Sequence, residues 1–258
     1  ELNFKNWVNI SSVIIGFTKD AVDWANKHYK TKKFHFYPSI PVKIYKRSNL
    51  SKFCKRKYDV GYVGSNKYFR TKFLNNLKLK ESKKIKILIL NSNRKLKNYR
   101  YTKSYLKLIS QCKFYFCTRA SLFEKYHDGF FNSNISEGRF AGRVSEAIAC
   151  GSIPLYWQPK FSKSLYHQVE KRIFFSKKKL IPSNWGMNGN IYSVPYDNMS
   201  KNLAQGIEIV KNVEDAFNKI TLHDNSYINN KLKYGSKIYK SYISPKSFYN
   251  FVKKKLND

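Results

Sequence analysis

The sequence predicts an α/β domain built on a doubly wound parallel sheet, and three observations carry that expectation. Short apolar runs alternate with stretches whose apolar residues recur at helical spacing. Two of those runs end in small polar turns, Gly64-Ser65 and Asn91-Ser92-Asn93. No internal repeat and no long apolar run competes with the pattern.

Taken in order, Val13-Ile14-Ile15-Gly16-Phe17-Thr18 reads as a buried strand, Lys19 to Tyr29 as a helix, and Phe34-His35-Phe36-Tyr37 as a second strand ending at Pro38. Residues 39 to 57 carry Pro41, many cations and little periodicity, the marks of a linker. A new unit opens at Tyr58-Asp59-Val60-Gly61-Tyr62-Val63-Gly64-Ser65, a short buried strand followed by a helix with Phe69, Phe73, Leu74 and Leu77 on one face. Ile85 to Leu90 is the next strand, Lys103 to Ser110 a helix, and Phe114-Tyr115-Phe116-Cys117 a strand again. After a long polar excursion, residues 142 to 150 read as a helix and Ile153-Pro154-Leu155-Tyr156-Trp157 as a strand. Helices are expected near Asn202 to Val210, from Val213 to Lys219, and through the basic, aromatic stretch Tyr227 to Asp258. Crossovers in such a sheet gather the loops after the strands at one edge, where ligands bind.

Composition narrows the function. The 258 residues are 42% hydrophobic, which excludes a disordered tail and supplies a core for one large or two modest domains. No apolar run approaches the roughly 20 residues that span a bilayer. Glu1-Leu2-Asn3-Phe4-Lys5 shows neither an initiator Met nor a signal peptide, so an upstream part is expected to be missing. Cys54, Cys112, Cys117 and Cys150 have no CxxC spacing and are too few for a disulfide scaffold, so a reducing, cytoplasmic setting is expected. The net charge of +34 favours anionic partners: nucleoside diphosphates, acidic glycans, an anionic membrane surface contacted peripherally, or nucleic acid. Abundant Lys, Asn, Ile, Tyr and Phe are also what AT-rich coding produces, and the cations are scattered as on a solvated face.

Four loops converge at the predicted edge. Gly64-Ser65 opens onto a helix carrying Arg70 in its first turns, where small residues let backbone N–H groups approach a phosphate. Asn91-Ser92-Asn93-Arg94 follows the next strand, and Cys117-Thr118-Arg119 places a cation directly after a buried one. The longest, ending Ser136-Glu137-Gly138-Arg139-Phe140-Ala141, leads into Gly142-Arg143. Arg143 in the first turn of a helix is electrostatically poor unless an anion is bound there. Glu146 lies one turn deeper on the same face, a spacing that suits a cation on diphosphate and a carboxylate on ribose hydroxyls. An ordinary surface pair is the plain alternative.

At these residues the chain resembles known families. Phe114 to Cys117, Arg119, Arg143 to Ala147 and Gly151 to Pro154 are similar to the strand, Arg turn, Arg-x-x-Glu-Ala helix and small-residue turn of exostosin-like GT-B glycosyltransferases. Lys113 to Cys117 and Ile153 to Gln158 are similar to strands of the alpha-1,3-fucosyltransferases, from which the chain departs at Thr118-Arg119 and Gly142-Arg143. Tyr58 to Ser65, with Arg70, resembles the opening strand of spore-maturation-type glycosyltransferase-like proteins. The resemblance covers about 100 residues from Tyr58 to Gln158, moderately specific as a set.

The resemblance implies a GT-B fold with a Rossmann-type C-terminal domain that binds a UDP- or GDP-linked sugar, without an obligate metal or other cofactor. It assigns donor binding to Arg119, Arg143, Glu146, Gly64, Ser65, Arg139 and Asn91. Residues 1–50 would be a reduced or truncated acceptor-side part, 51–225 the nucleotide-sugar domain and 226–258 a basic helical segment. A glycan or glycoprotein would be the acceptor. Candidates for the catalytic base are Glu124, His127 and Asp128, ahead of Asp20 and Asp23. A nucleic-acid or polyanion binder, and an inactive donor-domain relative, are the competing readings. The first leaves the Arg143/Glu146 helix and the strand-helix alternation unexplained, so nucleic acid is disfavoured.

Overall fold

The computed structural model describes residues 6, 8–16, 19–37, 39–46, 48–64, 68–82, 85–91, 103–118, 142–157 and 205–258. Two parallel sheets are present. The smaller pairs β1 (Ile14–Gly16) with β2 (Phe34–Phe36), bridged by α1 (Lys19–His28). The larger contains β3 (Tyr58–Gly64), β4 (Ile87–Asn91), β5 (Cys112–Thr118), β6 (Ile153–Trp157) and β7 (Glu208–Val210) in the order β4-β3-β5-β6-β7.

All neighbouring strands of the larger sheet run parallel. The chain enters at β3, steps outward to β4, then crosses back to β5. Strand order therefore reverses between β3 and β5, and a crevice opens at such a switch point beyond the carboxyl ends of the strands. Gly64 pairs with Asn91, and Thr118 with Trp157, so the strands of both pairs end level.

Alternation along the strands divides the core in two. Val60, Tyr62, Phe114, Phe116, Ile153 and Leu155 face α3 (Tyr68–Lys78), α6 (Val213–Thr221) and α7 (Asn225–Ile238), meeting Phe73, Leu77, Ala216 and Ile228. Val63, Tyr115, Cys117 and Tyr156 face the other way, onto Tyr105 and Ile109 of α4 (Lys103–Ser110) and Val144, Ala147 and Ile148 of α5 (Gly142–Ala149). Apolar residues on both faces of a strand are what a parallel sheet covered on both sides requires. Gly151, at φ 67, turns the chain out of α5 and into β6.

The C-terminal stretch is helical as expected. α7 begins at Asp224, whose side chain accepts from Tyr227 N, and a π-helical turn (Tyr239–Ile243) joins it to α8 (Pro245–Asn257), capped by Ser244.

Two expectations are corrected. The helix expected over Asn202 to Val210 is absent from 208–210, which form edge strand β7 paired to Leu155–Trp157. Ile207, Glu208 and Val210 are buried there, an environment that suits β-branched residues in an extended chain. Residues 39 to 57 do not behave as a linker. Val42 N donates to Ile243 O at 2.9 Å, Tyr45 N to Ala149 O at 2.9 Å, and Ser39 Oγ to Tyr242 O at 2.5 Å. The short helix α2 (Leu50–Cys54) buries Phe53. Extended backbone tied down by hydrogen bonds satisfies its own polar groups without any periodic pattern.

Candidate functional site

The carboxyl edge is where this topology concentrates polar groups. At the switch point β3 ends in Gly64, whose Cα is approached by the side chains of Arg143 and Tyr62. A Cβ at this position would lie 2.3 Å from Arg143 Nη2 and 2.5 Å from Tyr62 Oη. Only glycine lets the guanidinium settle against the strand end.

Arg143 reaches the site from the first turn of α5. Its Nη1 donates to Val63 O, the last carbonyl before Gly64, and to Tyr115 Oη at 3.1 Å. The guanidinium also lies over the Tyr62 ring, 5.0 Å from its centroid. Arg70 of α3 brings a second guanidinium to the same ring at 5.2 Å. Cations at this distance from an aromatic ring gain about 0.5–2 kcal/mol each, the higher figure when desolvated. Tyr62 thus gathers two positive charges, from helices on opposite faces of the sheet, at the end of one strand.

Behind Arg143 lies a buried network. Glu146 is fully enclosed, and its Oε2 accepts a hydrogen bond from Tyr105 Oη at 2.6 Å. Tyr105 Oη lies 3.3 Å from Tyr115 Oη and 3.5 Å from Arg143 Nη1. With its one proton committed to Glu146, Tyr105 can only accept from its other neighbours. Burial drives the ionisation of both Tyr105 and Tyr115 far above the ordinary tyrosine value, so both stay neutral hydroxyls. Burial also works against the charge on Arg143, but the surrounding tyrosine oxygens and Glu146 more than offset it, and its pKa is raised. The opposite charges of Arg143 and Glu146 therefore communicate through hydroxyl groups. Among the described residues no direct ion pair joins Arg143 to a carboxylate.

Of the residues singled out in the sequence, the structure brings together Gly64, Arg143 and Glu146, and places Asn91 beside Gly64 in backbone register. Glu146 does not face the crevice; a carboxylate on ribose needs an open oxygen, and this one is enclosed in the core. Asp20 and Asp23 lie in α1, on the smaller sheet, where Asp23 is exposed. Ser65, Arg119, Glu124, His127, Asp128 and Arg139 lie outside the described residues. Tyr62, Tyr105 and Tyr115 were not picked out as site residues. Their signal was an unusual run of tyrosines on strands and helix around the switch point, which reads equally well as core. Among the described residues no group of three or more His, Cys, Asp or Glu is placed to hold a metal, and no helix is long and apolar enough to cross a membrane.

No model of a known family matches the chain, and no curated protein matches its sequence. Among solved structures, the crystal structure of TarM is similar with a TM-score of 0.46 and 13% identity, over 97% of this chain and 44% of that one. The chain thus spans less than half the length of TarM.

Proposed function

We propose that the chain is the donor-binding part of a glycosyltransferase, moving a sugar from a UDP- or GDP-linked donor to a hydroxyl of a glycan or glycoprotein without a required metal. The observation that carries this reading is the pair of guanidinium groups, Arg70 and Arg143, held over Tyr62 at the topological switch point. A diphosphate is the ligand class for which two preorganised cations and a close glycine backbone are suited. As the bond from sugar to diphosphate breaks, negative charge accumulates on the departing phosphate, and fixed cations stabilise it without reorganising.

In this reading Arg143 and Arg70 bind the diphosphate, with Gly64, Ser65 and Asn91 forming the phosphate-side wall. Arg119 and Arg139 supply further positive charge, and Glu124, His127 or Asp128 takes the acceptor proton. Glu146 holds Arg143 through Tyr105 rather than touching ribose. Residues 51–225 are the nucleotide-sugar unit, 1–50 belong to the acceptor side, and 226–258 are a basic helical extension. The sequence resemblance to exostosin-like and fucosyltransferase-like enzymes supports the same assignment.

Thermal-shift screening against UDP, GDP, CMP and dTDP sugars tests it. One donor class is expected to raise the melting temperature in a saturable way, since a ligand that binds only the folded state stabilises it by mass action. Salt-steep binding to oligonucleotides, with no response to any sugar nucleotide, would instead favour the polyanion reading suggested by the +34 charge.

A further inference from the structure

A second concave surface lies at the opposite, amino-terminal edge of the sheet, where β6 and β7 begin. Gly151 and Ser152 precede β6 on one side, Gly206 precedes β7 on another, and α7 closes the third. In a parallel sheet this edge cannot share a ligand with the switch point, so the donor reading leaves it unexplained.

Its lining combines an apolar floor with cations. Ile148, Ile153, Leu232 and Tyr239 supply the floor, and Lys46, Lys231 and Lys240 the charge, while no carboxylate among the described residues lines it. Lys231 Nζ is already engaged, donating to Ile207 O at 2.5 Å and lying 3.6 Å from Glu208. The side chains of Lys46 and Lys240 are exposed and make no hydrogen bond or ion pair among the described residues.

Gly235 provides a separate observation. It sits in the interior of α7, where glycine is poorer than alanine. Packing does not require it: a Cβ there would meet only Ile148 Cγ2, at 4.0 Å. At Gly206, by contrast, a Cβ would lie 2.5 Å from Ile238 Cδ1. The missing methyl of Gly235 keeps the cleft open at a cost to the helix, which favours an occupant over a packing explanation.

We propose that this cleft binds a small anionic amphiphile, with its phosphate head between Lys46 and Lys240 and its apolar body against Ile148, Ile153, Leu232 and Tyr239. Apolar walls with a few placed polar groups are the usual make-up of a small-molecule site. A soluble phosphorylated metabolite and a phospholipid share that chemistry.

Calorimetry with octyl phosphate below its micelle concentration tests the proposal. Saturable one-to-one binding is expected, at least about tenfold tighter than for inorganic phosphate or the neutral octyl glucoside, a difference of about 1.4 kcal/mol. Replacing both Lys46→Ala and Lys240→Ala is expected to weaken it about tenfold or more. The control pair Lys253→Ala and Lys254→Ala on α8 removes equal charge outside the cleft and leaves affinity unchanged. Gly235→Ala is expected to raise the melting temperature by about 2–4 °C, from the glycine-to-alanine gain in a chain of this size, while weakening octyl phosphate several-fold. Equal losses from both lysine pairs, or a stabilised Gly235→Ala protein with undiminished binding, would overturn the site. Co-sedimentation with phosphatidylglycerol vesicles separates the sources. Loss in the Lys46/Lys240 variant points to a lipid head, and unchanged vesicle binding beside weakened octyl phosphate binding to a soluble amphiphile.

Discussion

Glu146 in α5 and Glu208 at the start of β7 are 0% and 4% exposed, yet the molecule neutralises them differently. Glu208 is ringed by the cations Lys219, Nζ at 3.0 Å, and Lys231, Nζ at 3.6 Å, and by the His223 imidazole, Nε2 at 3.9 Å, with Tyr227 Oη donating to it as well. Burial holds His223 below the ordinary histidine value despite the pull of Glu208, so the lysines supply the compensating charge near neutrality. Among the described residues, Glu146 instead meets a cation through Tyr105, 2.6 Å from the carboxylate and 3.5 Å from Arg143 Nη1. The edge-strand cluster satisfies its carboxylate directly and works as a clasp between β7, α6 and α7. The α5 network holds its guanidinium in place through neutral hydroxyls, which in the proposed function leaves it able to receive an anion.

That contrast can be broken most sharply by deleting each carboxylate. Glu146→Ala is expected to cost about 3 kcal/mol, because it removes the buried carboxylate that accepts from Tyr105 in an enclosed site and uncovers buried positive charge. Glu208→Ala is expected to cost about 1–2 kcal/mol, since Lys219 at the rim can return to water. Urea denaturation of the two variants measures both, and the reverse order would remove the distinction.

Single hydroxyls give the next largest effect. Tyr105→Phe is expected to destabilise by about 1–2 kcal/mol and to weaken nucleotide binding, while Tyr227→Phe costs about 1 kcal/mol with binding unchanged. Equal binding in both would mean that Tyr105 is only structural.

The smallest effect is read from the thiols. Cys54 is exposed, whereas Cys112, Cys117 and Cys150 are buried, the last two beside the Glu146 network. Burial pushes Cys112 and Cys150 up to about 12. The unfolded thiols ionise near pH 8.5 while the folded ones stay protonated, so their contribution to stability is complete below about pH 8.5 and is lost as pH rises toward 12. At pH 8 a thiol reagent is expected to label Cys54 rapidly and the other three only on unfolding. Rapid labelling of Cys150 would indicate that α5 opens on its own.

Much of the large sheet could be read from the sequence. β3, β5 and β6 are continuous apolar runs between turn residues, and the helix expected over Lys103 to Ser110 matches α4. β7 could not, because three residues are too short for a period of two to stand out from a helical pattern, even with Ile207, Ile209 and Val210 in place. The packed course of residues 39 to 46 was hidden because it rests on backbone bonds to Ala149 and Ile243, which leave no mark in residue type. At the site, the Arg143 and Glu146 spacing within one helix was visible, but the groups that connect them come from α4 and β5. No spacing within α5 announces that Tyr105 stands between its carboxylate and its cation.

The central claim is that Arg143 is held at the switch point as an anion receptor rather than buried as a structural cation. Titration calorimetry of Arg143→Ala with the preferred sugar nucleotide, beside Glu208→Ala as the structural control, addresses it directly. The account predicts that Arg143→Ala keeps its fold by circular dichroism, loses at least about 2 kcal/mol of binding, or some thirtyfold in affinity, and has no transfer activity, while Glu208→Ala binds normally. Unchanged nucleotide affinity in a folded Arg143→Ala protein would contradict it.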